Sequence, residues 1–327
     1  LRVNRALRIL LRRLFAAPPT LLIVALGAFA LLEAAPGDAV DAYLAQTGGD
    51  AGFAAALRAR LGLDEAWPAR LLGFLGRLLQ ADLGDSVVFA RPVAAVLAER
   101  LPNTLLLMAM TACVSVGIGM GLGLLAGARP GGGRDTVLTF VALGLLALPN
   151  FWLALLLVLV FVVQLGWFPI GGLRSLGAPP ALGATLDLLH HLVLPAIALG
   201  AGYSAMFMRT LRAGMAEAWR ADHVRAAEAR GLRRRAIVWR AVARPALLPV
   251  LVLFGQHVGT LVGGSVVIET VFAVPGMGRL AYEAVVGRDA LLLVGVLFVA
   301  TLVVLAANLA VDLLLARLDP RIGGADG

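Results

Sequence analysis

Six long runs without a single charged side chain decide what this chain can fold into. They cover residues 14–32, 101–128, a stretch inside 136–173, 188–208, 245–268 and 290–311. A helix needs about 20 apolar residues to cross the hydrocarbon core of a bilayer, and each run meets that length. The surrounding composition agrees. The 327 residues are 60% hydrophobic and 15% charged, against roughly 25% charged in an ordinary soluble domain. Mean hydropathy is +0.91. The expected architecture is an all-α, multi-pass membrane bundle of six spans.

Orientation follows from arginine. Arg2, Arg5, Arg8, Arg12 and Arg13 precede the first span, Arg129 and Arg134 separate the second from the third, and Arg317 and Arg321 follow the sixth. The segment between the fourth and fifth spans, 209–249, carries ten arginines against Glu217, Asp222 and Glu228. These alternate flanks hold most of the 28 basic residues. Positive charge marks the cytoplasmic side, so both termini are expected inside. The arginine-rich start and apolar first run resemble a secretory signal, but five more spans follow and no clean small-x-small cleavage site precedes Pro36, so an uncleaved span is expected.

All 28 basic residues are arginine. Without lysine the chain has no Walker A phosphate loop, no Schiff-base lysine and no lysine general base. ATP-driven work would need another subunit's ATPase. The single cysteine, Cys113, lies in an apolar run and excludes a disulfide framework within the chain. His190, His191, His223 and His257 are in no metal-ligand spacing, and the adjacent pair would diverge on a helix.

Between the first two spans, 36–100 forms the longest outer segment. Pro36-Gly37-Asp38 ends a helix, while Phe53, Leu57 and Leu61, then Leu71, Phe74, Leu75, Leu78 and Leu79, recur at helical spacing. This reads as a cap on the bundle that also offers a docking surface. In the second span Gly117–Gly121 and Gly119–Gly123 both satisfy the small-xxx-small pattern that allows close helix contact. Pro149-Asn150-Phe151-Trp152 predicts a kink in the third span. Ile268 to Arg279, with Pro275, Gly276 and Gly278, reads as an irregular outer segment. Asn308 and Asp312 share a helix face near the cytoplasmic edge, suited to a helix-to-helix hydrogen bond.

The basic loop has its own grammar. Acidic residues at its start and Arg230 at its end suit the dipole of a helix over 217–230. Gly231 fits the left-handed position after such a helix, and a second helix over 233–244 leads to Pro249. Ala226 and Ala227 are small enough to seat the first helix in a partner's groove. The arginines also set topology and attract anionic headgroups. No aromatic stacking platform accompanies them, which argues against nucleic acid.

These features, in order, resemble the B-type permease subunits of dipeptide, oligopeptide and nickel ABC importers. The resemblance covers nearly the whole chain. It rests on Pro36-Gly37-Asp38, Leu61-Gly62-Leu63-Asp64, Asp82-Leu83-Gly84-Asp85-Ser86, Leu101-Pro102-Asn103-Thr104-Leu105, Leu148-Pro149-Asn150-Phe151-Trp152 and His191-Leu192-Val193-Leu194-Pro195. It continues through the basic loop with Ala226, Ala227, Gly231, Ile237, Leu248 and Pro249, then Glu269-Thr270-Val271-Phe272, Pro275-Gly276-Met277-Gly278, Asn308 with Asp312, and Leu318-Asp319-Pro320-Arg321. Arg225 stands where the loop's name-giving glutamate would be, and His223, Pro245 and Leu315 also depart from the family pattern.

The resemblance implies six transmembrane helices of the type I importer kind, N-in and C-in. Segment 1–35 would hold the N-terminus and first span, 36–100 the extracytoplasmic segment, 101–318 the permease core with its coupling loop at 209–244, and 319–327 the tail. It implies a bacterial or archaeal cytoplasmic membrane, a second homologous permease, two cytoplasmic ATPases that use ATP and magnesium, and an extracytoplasmic binding protein. This subunit would catalyse nothing and bind no cofactor or metal. Coupling to the ATPases would fall to Glu217, Asp222, His223, Val224, Arg225, Ala226, Ala227, Arg230, Gly231 and Leu232. The translocation path or gate would draw on Gln256, His257, Glu269, Phe272, Pro275 and Gly276. Di- and oligopeptides are the expected cargo, with nickel chelates, glutathione and oligosaccharides as alternatives. A secondary transporter would need ionisable groups at mid-bilayer, where only Gln256 and His257 stand as polar candidates.

Overall fold

The computed structural model describes residues 2–34, 65–80, 82–175 and 182–318, with positions 40, 52, 55, 56, 58 and 59. The break at Pro36-Gly37-Asp38, the spacing of Phe53, Leu57 and Leu61, the Leu61-Gly62-Leu63-Asp64 element and the tail beyond Leu318 lie outside the described residues. Five described helices are long and apolar enough to cross a membrane, and a bent pair counted as one span makes six. The chain divides into two compact units, Leu1–Thr104 with Pro275–Leu309, and Leu105–Val274 with Ala310–Gly327. This division cuts across the expected segments 36–100 and 101–318, because the outer turn after the fifth span packs with the outer segment.

The first unit holds α1 (Arg2–Ala34), α2 (Trp67–Leu79), strands β1 (Asp85–Ser86) and β2 (Arg91–Pro92), the start of α3 (Val93–Gly127), α11 (Met277–Val286) and most of α12 (Ala290–Leu318). The apolar spacing of α2 brings Phe74 into a stack with Phe29 of α1, ring centres 6.0 Å apart. The two strands form a short antiparallel hairpin, Asp85 opposite Pro92 and Ser86 opposite Arg91. Asp289 holds it. The buried carboxylate accepts from the Ser86 hydroxyl and the Val88 amide, and its other oxygen accepts from the Leu292 amide in the first turn of α12. One side chain thus caps the last span and fixes the outer hairpin. Below it Val93, Val96 and Leu97 pack on Met277, Leu280, Ala284 and Leu292. The Asn103 amide donates to the Pro275 carbonyl at 2.7 Å, and the Thr104 hydroxyl accepts from the Met277 amide at 2.7 Å.

In the second unit α6 (Leu182–Ala218) is the central helix. In its most apolar stretch 72% of residues are buried, against 6–28% in the other candidate spans. The rest of α3 lies along it on glycine. A β-carbon at Gly119 would fall 2.7 Å from the Ser204 carbonyl oxygen, one at Gly123 2.9 Å from Leu211 Cβ, and one at Gly127 2.7 Å from Met215 Sδ. Gly117 and Gly121 face open space. Of the two glycine pairs legible in the sequence, Gly119–Gly123 makes this seam, extended by one more turn to Gly127.

The third span is broken. Helices α4 (Gly133–Ala147) and α5 (Asn150–Leu157), the latter running on as a π-helical stretch Val158–Gln164, meet at a bend of 104°. Leu148 is extended at φ −81°, ψ 128°, because a residue before proline is sterically driven out of the helical region. The fourth span outgrows its charge-free run, 188–208, by six residues at one end and ten at the other. After the loop come α7 (Asp222–Ala229), α8 (Arg234–Ile237), a π-helical stretch Val238–Ala243, α9 (Arg244–Val258) and α10 (Thr260–Val271). The fifth apolar run, 245–268, is therefore divided at Gly259, which itself keeps helical angles.

Glycine in the seam is a prediction about size. Gly119→Ala and Gly127→Ala should each cost about 1–3 kcal/mol from overpacking, lowering the thermal midpoint of the detergent-solubilised full chain. Gly117→Ala should leave that midpoint unchanged.

Candidate functional site

The cytoplasmic loop is smaller than its charge suggests. Expected over 209–244, with a helix from Glu217 to Arg230, it begins only at Trp219, because α6 stays helical through Ala218. Glu217 therefore belongs to the end of α6 and not to the loop helix. A turn over Trp219, Arg220 and Ala221 reverses the chain, with the Arg220 amide bonded to the Glu217 carbonyl and Ala221 to Ala218. Helix α7 then starts at Asp222.

Helix α7 has two faces. Val224 and Ala227, three residues apart and both buried, join a core of Met215, Ala218, Ile237, Val242 and Ala243. Asp222, His223, Arg225, Ala226, Glu228 and Arg230 are exposed. The adjacent alanines thus part company: Ala226 faces out, while Ala227 is a packing residue beneath the helix. The expectation that both seat in a partner's groove is corrected by helical geometry, which turns neighbours about 100° apart.

The helix ends as the sequence predicts, for a backbone reason. Gly231 has φ +72°, the left-handed region that costs other residues about 1–2 kcal/mol. Its amide donates to the Glu228 carbonyl at 2.8 Å, and the Leu232 amide reaches back to the Ala227 carbonyl at 3.3 Å. This double bond pattern is the Schellman motif and satisfies carbonyls that a helix end otherwise leaves bare. The ring of His223 donates from Nε2 to the Ala241 carbonyl at 2.9 Å, tying α7 to the return segment. The ion pair Asp222–Arg225, at 3.5 Å and exposed, adds little.

A second cytoplasmic feature has no signature in the sequence. Asp135, in the first turn of α4, accepts two bonds from Arg212 of α6, Nε to Oδ1 and the terminal nitrogen to Oδ2, both at 2.8 Å. It also accepts from the Gly131 amide at 2.8 Å, and the Thr139 hydroxyl stands at 3.4 Å. The carboxylate is 2% exposed and fully occupied. Asp135 and Arg212 are 77 positions apart, so only the fold reveals the pair.

The expected path residues separate. Gln256 is exposed, and the His257 ring lies tilted against that of Tyr203, centres 5.2 Å apart, beside a small cavity lined by Ala112, Ser115, Phe207, Phe254 and Leu261. The Tyr203 hydroxyl lies 3.0 Å from that of Thr260. Glu269 and Phe272 are buried inside the second unit. The Phe272 carbonyl accepts from Gly172, and Phe272 packs with Leu194, Ala198 and Ile268. Glu269 and Phe272 thus both lie in the interior of that unit, Phe272 as part of its apolar core. Pro275 and Gly276 belong to the first unit, where they form the turn that opens α11. Among the described residues no group of histidine, cysteine and carboxylates could hold a metal ion.

Six apolar spans, a cytoplasmic helix–glycine–helix loop and a broken third span coincide with what comparison finds. Residues 119–324 match the family described as the binding-protein-dependent transport system inner membrane component. The oligopeptide transport system permease protein AppB of Bacillus subtilis is 34% identical over 96% of this chain and 98% of its own length. The di/tripeptide transport system permease protein DppB of Pseudomonas aeruginosa is 36% identical over 95% and 97%. The inward-facing MetNI methionine ABC transporter, 19% identical, aligns with 69% of this chain and 97% of its own at a TM-score of 0.56, a likeness of fold. The chain belongs to the binding-protein-dependent transport inner-membrane component family. It is a multi-pass permease subunit of an ABC importer, without an ATPase site of its own, and the family works with ATPase and substrate-binding partners.

The Asp135–Arg212 pair gives a stability prediction. Asp135→Asn should cost about 2 kcal/mol or more, below the figure for a fully enclosed pair because the Arg212 side chain is 35% exposed. Thermal unfolding should show the loss, and Asp135→Asn with Arg212→Met should recover part of it.

Proposed function

We propose that this subunit carries di- and oligopeptides across a bacterial cytoplasmic membrane, paired with a second homologous permease and driven by two ATPases that bind ATP and magnesium. The cargo reading is supported by the oligopeptide and di/tripeptide permeases, each more than one-third identical over nearly the full chain. An external binding protein delivers the peptide, and nucleotide binding in the ATPases switches the access of the path. The path runs past the junction of α9 and α10, where Gln256 is exposed and His257 stands by Tyr203.

The observation that carries the coupling role is the asymmetry of α7. One face is packed into the second unit through Val224 and Ala227; the other offers Asp222, Arg225, Ala226 and Arg230 to solvent. A short helix packed beneath, with Ala226 set among charged side chains above, suits a cleft on a partner. Gly231 and Leu232 close it, and His223 anchors it. An ATPase that shifts α7 must then shift α6 and α9 with it, since the apolar contacts between them have no slack.

Ala226→Trp tests this. The added ring should strip the ATPases from the affinity-purified complex while the protein still inserts, because Ala226 has no packing role. ATPases retained in wild-type amount would overturn the reading. Ala227→Trp should behave differently, reducing the folded yield itself through overpacking of roughly 1–3 kcal/mol.

A further inference from the structure

The two ends of the cytoplasmic loop meet at one place. Trp219 opens the loop and Arg234 begins the helix after it. The Trp219 indole donates from Nε1 to the Gly127 carbonyl at 2.9 Å. The Arg234 guanidinium donates to the next carbonyl, Ala128, at 3.0 Å and lies over the Trp219 ring, 4.9 Å from its centre. Those carbonyls belong to the C-terminal end of α3, where intrahelical partners run out and a cation is favoured by the helix dipole. A charge stacked on indole adds its own attraction.

The contact has a cause in packing. Gly127 is the last glycine of the α3–α6 seam, and any side chain there would strike Met215. Only with glycine does the end of α3 come close enough for Trp219, four residues beyond Met215, to reach its carbonyl. Helix α7 touches α6 and the return segment through its apolar face, and this polar contact ties both ends of the loop directly to the end of α3.

We propose that Trp219 and Arg234 form a latch that transmits movement of the loop to α3, as positioning residues distinct from the docking face of α7. The inference rests on the reading of α7 as the ATPase contact. It assigns α3 as a helix that the ATPases move directly: a pull on α7 closes the loop like a clasp and draws the end of the second span with it. The two groups back each other, since Arg234 neutralises carbonyl dipoles while the indole fixes its plane.

Cys113, the single cysteine, is exposed on α3 and serves as reporter. It would be spin-labelled in the assembled complex, with cysteine-free partner subunits, and its spectrum compared between nucleotide-free and ATP–vanadate-trapped states. The unaltered latch should give a clear spectral change. Arg234→Gln and Trp219→Leu should shrink it by about threefold or more, with the ATPases still bound. Arg234→Lys, which keeps charge and donor, should restore most of it, and Trp219→Phe, which keeps the stacking face, should restore part. A full-sized change in Arg234→Gln and Trp219→Leu overturns the latch. So does the absence of any change with the latch intact, since α3 would then not follow the loop. Loss of the ATPases from the Arg234→Gln complex also overturns it, because Arg234 would then belong to the docking surface. Failure of α7 as the docking element is read separately, from ATPases that stay bound to Ala226→Trp.

Discussion

Close approach of α3 to α6 is the constraint on which the second unit depends. In a bilayer no hydrophobic force pulls apolar helices together, because lipid tails are as apolar as leucine; association relies on tight packing. Gly119, Gly123 and Gly127 supply it by letting the α6 backbone and side chains occupy space a β-carbon would fill. The same seam brings the end of α3 within reach of the loop, so membrane packing and cytoplasmic geometry share one cause.

From this seam the cytoplasmic face is assembled as a set of short, satisfied contacts. Arg212 of α6 holds α4 through Asp135, Val224 and Ala227 hold α7, and His223 holds the return segment. A transport subunit without its own ATPase site must receive work from outside. In the role proposed for α7, its packing through Val224 and Ala227 would carry a small displacement into the spans it touches. The exposed arginines contribute mainly to orientation in the bilayer and little to this stiffness.

The outer face follows a different rule. There the chain has to leave and re-enter the helical region, and Asp289, Asn103 and Thr104 provide polar side chains that satisfy the backbone at the turns. Asp289 performs two tasks with one carboxylate, capping α12 and fixing the β1–β2 hairpin. The sequence offered no cue for this hairpin beyond the turn residues around Gly84 and Pro92, because strands of two residues carry no periodicity.

The sequence by itself determined the number of spans, their orientation, the absence of a nucleotide-binding loop and the glycine turn at Gly231. These depend on composition and local backbone preference, which act over a few residues. Charge-free runs nevertheless misjudged lengths: α6 continues past Arg209 and Arg212 because Arg212 finds Asp135 and its charge is paired. Which face of α7 looks outward, which glycines touch a neighbour, and that Glu269 and Phe272 are interior were settled only by the tertiary structure. Each depends on what a distant segment places opposite the residue. The clasp of Trp219 and Arg234 on the end of α3 joins positions about a hundred residues away in the chain, and no local pattern encodes such a meeting.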